Sequence, residues 1–362
     1  ANRFPTLYLI VLAAITSAAS IMIAQYHGNQ NPDGINQSFS IHTYLSAIVM
    51  LFFLVPSIVS PAQIVGVYTT DGRIIPSSAQ YLRIISIGYL PLVGTFMLSV
   101  LMRNIGYAKY PTISGFASVA LNLVLNYMLI FGKLGFPKMG IAGAGLATTI
   151  SRFFEFMVLT IFYLKIHCKK EFRLEFRIRI SASFIRQASL IIAPLLASEV
   201  LWGLGETLYG VIYGRIGTEQ VAAMTLIGPV QDLLYKLFFG LSVATGIIAG
   251  EHLGRDEHQK AFDASLKLLK LGTLSAMAVG ILLALSANLY VRMFNVTSDT
   301  MGAWGVGIPL GFFTAFVLNF PIHWVFFCIC LEECLRMVLG IRIFLSRRWM
   351  KNITKYPALS KQ

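Results

Sequence analysis

Residues 103–155 read RNIGYAKYPTISGFASVALNLVLNYMLIFGKLGFPKMGIAGAGLATTISRFFE, and this stretch decides the fold class. It holds two apolar runs of membrane-spanning length, 111–131 and 140–164, separated by a short hairpin of Gly, Lys and Pro. Asn122 and Asn126 lie at helical spacing in the first run. Helices of this kind pack closely in lipid and present polar side chains inward. The second run opens with a patch of small residues: Gly140, Gly143, Ala144, Gly145 and Ala147.

The composition of the whole chain predicts an integral membrane protein. Apolar residues make up 56% of the 362 residues and charged residues only 12%, whereas a soluble domain carries about 25% charged residues. The apolar runs are unbroken, which favours helices over a barrel. The net charge of +13 comes from basic residues in the loops, so it indicates a bilayer partner with a basic cytoplasmic face and no nucleic acid.

Ten membrane spans are predicted from the lengths of the apolar runs. The loop 165–186 carries seven basic residues and is therefore placed in the cytoplasm, which puts the hairpin Lys133–Lys138 outside. Two spans after residue 300 would leave the basic tail outside, so we expect one helix to be missing there. The spans are 4–24, 39–59, 82–102, 111–131, 140–164, 189–213, 220–249, 266–290, 303–320 and 322–341.

An internal repeat supports the missing helix. The segment SAASIMIAQYHG at 17–28 resembles SVATGIIAGEHLG at 242–254, and we align Ala24 with Ala249. The offset between the two copies stays nearly constant up to Asp299 and then shrinks by about 50 residues, which is one spanning helix and its loop. We therefore expect a helix to be absent between Asp299 and Trp304.

The repeat predicts two pseudo-symmetric bundles of six helices, with about ten of the twelve helices present. An amino-terminal bundle is expected at 1–164, a basic cytoplasmic linker at 165–188, and a carboxyl-terminal bundle with a basic tail at 189–362. The helix 189–213 has no counterpart in the first copy, and the chain starts with Ala1, so another helix is expected to precede it. Parallel repeats of this kind are typical of transporters whose site lies between the halves.

Five segments of this sequence carry a resemblance to the multidrug and toxic compound extrusion (MATE) family of bacterial transporters, and the resemblance as a whole covers nearly the whole chain. They are LNLVLNYMLIFG at 121–132, GFPKMGIAGAGLATTISR at 135–152, APLLASEVLWGLGETLYGVIYGRIGTEQVAA at 193–223, IPLGFF at 308–313 and RIFLSRRWMKN at 342–352. The resemblance identifies the spans as helices 2–6, 7–9, 11 and 12, without the first and the tenth.

The resemblance implies a secondary antiporter and no enzyme activity. Members of the family export organic, often cationic or aromatic, compounds in exchange for sodium or protons, by alternating access. The expected setting is a monomer in the bacterial inner membrane, with a small organic substrate and no cofactor beyond the coupling ion. A metal ligand set is not recognised in the sequence, although a sodium ion is possible.

Carboxylates within spans are the first candidates for ion coupling, because an ionisable group in lipid is costly unless it faces a cavity or a partner. Glu199 and Glu206 are seven residues apart and share a predicted helix face with Trp202. We expect one of these carboxylates to bind the coupling ion and Trp202 to offer its ring to a cationic compound. The alternative is a hydrogen bond to a neighbouring helix.

Polar groups in two other spans allow both a functional and a structural interpretation. Asn122 and Asn126 are suited to bind sodium or substrate, or equally to join two helices by hydrogen bonds. Some family members have Asp at the position of Asn126, so we do not expect proton binding there. Asp232 and Lys236 are four residues apart, which favours a local ion pair.

Three acidic residues lie close to basic loops and are predicted to extend towards the membrane interface or to pair with basic groups there, without a role in transport. They are Glu155, Glu332 and Glu333. A related flippase for lipid-linked oligosaccharides is the alternative function, and it requires several cations in the cavity. The sequence offers four such cations, most of them near predicted helix ends: Arg83, Arg152, Lys236 and Arg336.

Overall fold

The computed structural model describes residues 3–68, 72–168, 175–177, 180–216, 218–293, 340–347 and 349–355. For some helical residues the structure describes the backbone but not the side chain. These are residues 3, 167–168, 202, 204–235, 280–281 and 283–293. The described residues include ten α-helices with defined bounds, a further helical stretch at 340–345 and a short 3-10 turn, Ile353–Lys355. The helices are α1 (Arg3–Gly28), α2 (Pro32–Val59), α3 (Pro61–Tyr68), α4 (Ile75–Ile87), α5 (Tyr89–Asn104), α6 (Lys109–Phe131), α7 (Ile141–Cys168), α8 (Ala182–Ile216), α9 (Thr218–Gly254) and α10 (His258–Met293).

The protein is an all-α membrane protein. Six of the described helices are long and apolar enough to cross a bilayer, and a bent pair of helices makes a seventh span. Eight predicted spans fall on described residues, and helices cover all eight. The predicted spans 303–320 and 322–341, with the break between Asp299 and Trp304, lie almost entirely outside the described residues.

One predicted span, 82–102, is broken into α4 and α5, which meet at an angle of 42°. The break lies at Gly88, whose N–H bonds the carbonyl of Ile85. Pro91 follows in the first turn of α5 and has no N–H to continue the helical hydrogen bonds of α4. The Cδ atom of Arg152 lies 3.0 Å from the point where a Cβ on Gly88 would lie. Gly88 therefore leaves room for the Arg152 side chain at the break.

The chain divides into two compact units, one of residues 1–200 with 353–362, and the other of residues 201–352. The division falls within α8, and the bundle limits expected from the sequence stay predictions. The core of the first unit lies among α1, α2, α5 and α7. Its largest fully buried side chains include Tyr8, Met22, Tyr89, Met97 and Leu159. In the second unit, α9 and α10 pack against each other.

The small-residue patch at the start of α7 allows the helices to approach closely, as the sequence predicts. A Cβ on Gly143 would lie 2.6 Å from the carbonyl oxygen of Leu129 in α6. A Cβ on Gly145 would lie 3.2 Å from the ring of Tyr81 in α4. Ala147 is fully buried. The turn after α6 begins at Gly132, whose φ of 69° lies in the left-handed region that favours glycine.

The internal repeat is visible in the turns that follow α1 and α9. After α1, the N–H groups of residues 29, 30 and 31 bond the carbonyls of 25, 27 and 26. After α9, those of 255, 256 and 257 bond 251, 253 and 252. Gln30 and Asp256 both have a left-handed backbone, so each turn is a Schellman motif.

This shared pattern corrects the alignment of the two copies by one residue. The bonds correspond at an offset of 226 residues, so Ala24 is equivalent to Gly250 and not to Ala249. The alignment from sequence paired Ala24 with a residue one position too early in the second copy. It matched similar small residues within a helix, where no local feature fixes the alignment. The turn marks it, since only one residue in each turn has a positive φ.

Candidate functional site

The two asparagines of α6 bond each other. Asn126 Nδ2 donates to Asn122 Oδ1 at 2.9 Å, and both side chains are half-buried. Their spacing of four residues places them one helical turn apart on the same face. The structure therefore shows a pair within one helix, which stabilises the orientation of both amides while part of each stays accessible.

The asparagine pair continues a stripe of polar and small residues along α6. Ser118, one turn before Asn122, donates to the carbonyl oxygen of Ser151 in α7 at 3.0 Å. Gly115 lies one further turn away, and a Cβ there would be 3.8 Å from Oε1 of Glu155. The stripe thus faces α7 over the first half of α6 and reaches the asparagine pair towards the hairpin.

Glu155 lies deeper than the sequence predicts. It is 13 residues before the end of α7 at Cys168, which is about 20 Å along the helix axis. Its half-buried side chain contacts the α6 stripe. The expected extension to the cytoplasmic interface is therefore wrong for Glu155. The sequence did contain an indication of this depth, since Glu155 lies near the middle of a continuous apolar run. Glu332 and Glu333 lie outside the described residues.

A second polar group surrounds Arg152, near the middle of α7. Tyr8 and Tyr89 are fully buried, their ring centroids are 4.4 Å apart, and the Tyr8 hydroxyl donates to the carbonyl of Tyr89 at 3.4 Å. The Arg152 guanidinium lies within electrostatic range of these two side chains, of Tyr81 and of Glu155. We call Arg152, Tyr8, Tyr81 and Tyr89 the Arg152 cluster.

The Arg152 cluster combines residues that are far apart in the sequence. Tyr8 lies on α1, Tyr81 on α4, Tyr89 on α5 and Arg152 on α7. Thr149, one turn before Arg152, donates to the carbonyl of Ile84 at 2.9 Å and joins α7 to α4. The sequence indicated Arg152 as a cation within a span, but no spacing in the sequence predicts the three tyrosines.

An apolar groove runs along α6 and α7 in the first unit. Its volume is about 600 Å³, within the range of small-molecule sites. Three phenylalanine rings and one hydroxyl lie among its lining residues. These are Leu121, Ile150, Phe153, Phe154, Phe156, Met157, Thr160 and Ile161.

The candidate carboxylates of α8 are described in part. The helix is continuous from Ala182 to Ile216 and contains Pro194, and Glu199 is half-buried. The backbone of Glu206 lies two turns after Glu199, as the sequence predicts. The side chains of Trp202, Glu206 and Asp232 are outside the described residues, so their roles stay predictions. Within the described part of the chain, no group of three His, Cys, Asp or Glu could hold a metal ion.

The family follows from a comparison with known families. The model of the family described as MatE matches residues 1–128 and again residues 194–325. The chain belongs to the MatE family. Members of this family are transporters and not enzymes. Because one model matches twice, the chain contains two related halves, in agreement with the repeated turns after α1 and α9.

Curated relatives of this MatE protein include bacterial transporters. The probable multidrug resistance protein NorM of Thermotoga maritima is 28% identical over 295 residues, which cover 80% of this chain and 62% of that protein. The uncharacterized transporter YisQ of Bacillus subtilis is 20% identical over 409 residues, which cover 97% of this chain and 86% of that protein. The second alignment is longer than the chain itself, so YisQ has residues within the aligned region that this MatE protein lacks.

Solved MATE structures share the fold. A crystal structure of MATE in complex with MaD3S has a TM-score of 0.74 at 20% identity, and covers 83% of this chain and 67% of that one. A MOP superfamily transporter from Pyrococcus furiosus has a TM-score of 0.72 at 18% identity, and covers 82% and 66%. This MatE protein spans about two thirds of the length of these structures and 62% of the Thermotoga relative.

Proposed function

We propose that this MatE protein takes part in multidrug efflux, as a secondary antiporter that exports organic, cationic or aromatic compounds in exchange for sodium or protons. The half-buried asparagine pair in a membrane-spanning helix is the observation that carries the proposal. Polar amides are costly in lipid unless they have partners or face a cavity. In a chain of this family, an amide pair in a membrane-spanning helix is suited to bind a cation.

Two separate sets of ion ligands are proposed: the amide oxygens of Asn122 and Asn126 on α6, and a carboxylate on α8. Hard cations such as sodium bind oxygen ligands, and two amides in one orientation supply them without a proton. The carboxylate of Glu199 or Glu206 supplies a negative charge. The coupling ion and the cationic compound compete for this carboxylate. Trp202 offers an aromatic face to that compound, and Asp232 belongs to the same set of candidates.

The groove along α6 and α7 supports a planar apolar compound as substrate. Phenylalanine rings line it, and ring stacking favours aromatic compounds. The name of the Thermotoga relative also supports export of drugs, since that protein is a probable multidrug resistance protein. Alternating access between two bundles, a monomeric state and a bacterial inner membrane location complete the proposal.

The proposal is tested with the purified chain in sealed lipid vesicles. Uptake of ethidium is followed by fluorescence while a sodium gradient or a proton gradient is imposed separately. We expect one gradient to drive accumulation, and Asn126→Leu to reduce the rate about tenfold or more, because the Asn122 amide loses its partner. Leu123→Ala is the matched control, since Leu123 lies on α6 with 71% of its side chain exposed.

Two results would contradict the exporter. One is that neither gradient drives ethidium accumulation. The other is that the same vesicles flip a fluorescent lipid-linked oligosaccharide, which would favour the flippase. Among the four cations that the sequence offers, Arg152 favours the flippase, because its half-buried side chain lies near the middle of a span. Arg83 and Lys236 have exposed side chains, and Arg336 is outside the described residues.

A further inference from the structure

Arg152 has a charge that the described part of the chain does not neutralise at close range. Its Nη1 atom is buried and has no hydrogen-bond partner. Among the described residues, the ion pairs within 4.0 Å do not include Arg152. Its neighbours in the cluster are tyrosines, and Glu155, one turn away on α7, interacts with it only beyond ion-pair distance. An arginine within a span pairs with an anion or faces a polar cavity, because an unpaired cation is costly there.

The side chain of Arg152 is shaped for a carboxylate. Part of it remains accessible while Nη1 is buried against the break between α4 and α5. A planar guanidinium presents several N–H donors in a fixed fork, which matches the two oxygens of a carboxylate. The fully buried tyrosines and Gly88 restrict how far the guanidinium can move. The donor fork is therefore positioned before any ligand arrives.

We propose that Arg152 binds the carboxylate of the transported compound, so that compounds with an acidic group on an aromatic scaffold are preferred over their neutral derivatives. This proposal names a substrate class and rests on the proposed transport function. Glu155, one turn further along α7, adds an opposite charge near the same level, which suits a compound that also carries an amine. The tyrosine rings hold the guanidinium in a surrounding of low polarity, where a charge-assisted hydrogen bond is stronger than in water.

The test measures binding and needs no gradient. The whole chain in detergent is titrated with dansylglycine and with its methyl ester, two fluorescent aromatic amines that differ only in the carboxylate. We expect the wild type to bind the acid more tightly, and Arg152→Gln to lower the acid-to-ester affinity ratio about tenfold. Arg103→Gln is the matched control and should keep the ratio, because Arg103 lies on α5 and donates from Nε to Ser99.

A second measurement covers the case in which Arg152→Gln fails to fold. Sodium benzoate should displace dansylglycine from the wild type, and its neutral analogue benzamide should displace it far less. An acid-to-ester ratio near one in the wild type, an unchanged ratio in Arg152→Gln, or equal displacement by benzoate and benzamide would overturn the proposal. Carboxylate preference in binding without gradient-driven ethidium uptake would support Arg152 as the carboxylate site and contradict the proposed antiport, so the two failures are distinguishable.

Discussion

The backbone N–H of Ile353 donates to Oε1 of Gln25 at 2.7 Å, across 328 residues of sequence. The carbonyl of the same Ile353 accepts from Nε2 of Gln187 at 3.0 Å. Gln187 in turn accepts a hydrogen bond from the Tyr26 hydroxyl. One residue of the basic tail is thus bound through both of its backbone polar groups by α1 and α8 of the first unit.

Gln25→Leu should release this part of the tail. The Ile353 N–H loses its partner, and a buried hydrogen bond of this kind contributes about 1 kcal/mol. Hydrogen exchange followed by mass spectrometry should show faster exchange at 353–355. Gln63→Leu is the matched control, because Gln63 is exposed on α3. Equal protection of the tail in both variants would contradict the role of Gln25.

Gly143→Ala should destabilise the α6–α7 hairpin. The new Cβ would lie 2.6 Å from the Leu129 carbonyl oxygen, and that backbone cannot move away without separating the helices. Overpacking of this kind costs about 1–3 kcal/mol, seen as a lower Tm in detergent. Gly246→Ala is the control, since no atom lies within 4 Å of its Cβ. There alanine should leave Tm equal or raise it, because it favours a helix by about 1 kcal/mol. Equal effects of the two changes would mean that the close helix contact is not maintained.

Gln30→Gly should stabilise the turn after α1. Gln30 has a φ of 53°, a conformation that costs about 1 kcal/mol in residues other than glycine. Asp256→Gly changes the equivalent residue after α9, but it also removes the bond that Asn352 donates to Asp256 at 2.8 Å. We therefore expect Tm to rise for Gln30→Gly and to rise less, or fall, for Asp256→Gly. A larger rise for Asp256→Gly would contradict the contribution of the Asn352 bond.

Glu257, between α9 and α10, should make the stability of this turn depend on pH. Hydrogen bonds from Lys260 and His252 lower the pKa of its carboxyl. Because the pKa is lower in the folded chain, the contribution is complete above the unfolded pKa and is lost as the pH falls through the folded one. Glu257→Gln should have a lower Tm than the wild type at about pH 7, and this difference should disappear at acidic pH.

The control for Glu257 is another carboxylate on the same segment. Asp263 accepts a hydrogen bond from neutral Gln259 at 3.0 Å, so Asp263→Asn should change Tm less at neutral pH. A Tm difference for Glu257→Gln that stays constant down to about pH 3, below the usual range of a carboxyl group, would show that its charge does not contribute.

The helices were predictable because the local sequence decides them, but their ends were not. The helices α2, α8 and α10 begin seven or eight residues before the predicted spans 39–59, 189–213 and 266–290. The apolar runs identified every described span, and the small residues from Gly140 to Ala147 predicted the close packing of α7. The break at Gly88 was not predicted, although Pro91 was a signal for it. The asparagine pair was predictable as a shared face, since four residues make about one turn, but whether it bonded within the helix or between helices was not.

The sequence by itself determined that this protein is a helical membrane protein with an internal repeat and the MATE pattern, because length, apolarity and loop charge act locally along the chain. Only the tertiary structure decided which polar groups meet. Arg152 and its tyrosines come from four helices, and Ile353 reaches Gln25 from the other end of the chain. Contacts of this kind depend on which helices become neighbours and on how each helix is rotated about its axis. Helices that are apolar on all sides have little sequence periodicity from which either could be predicted.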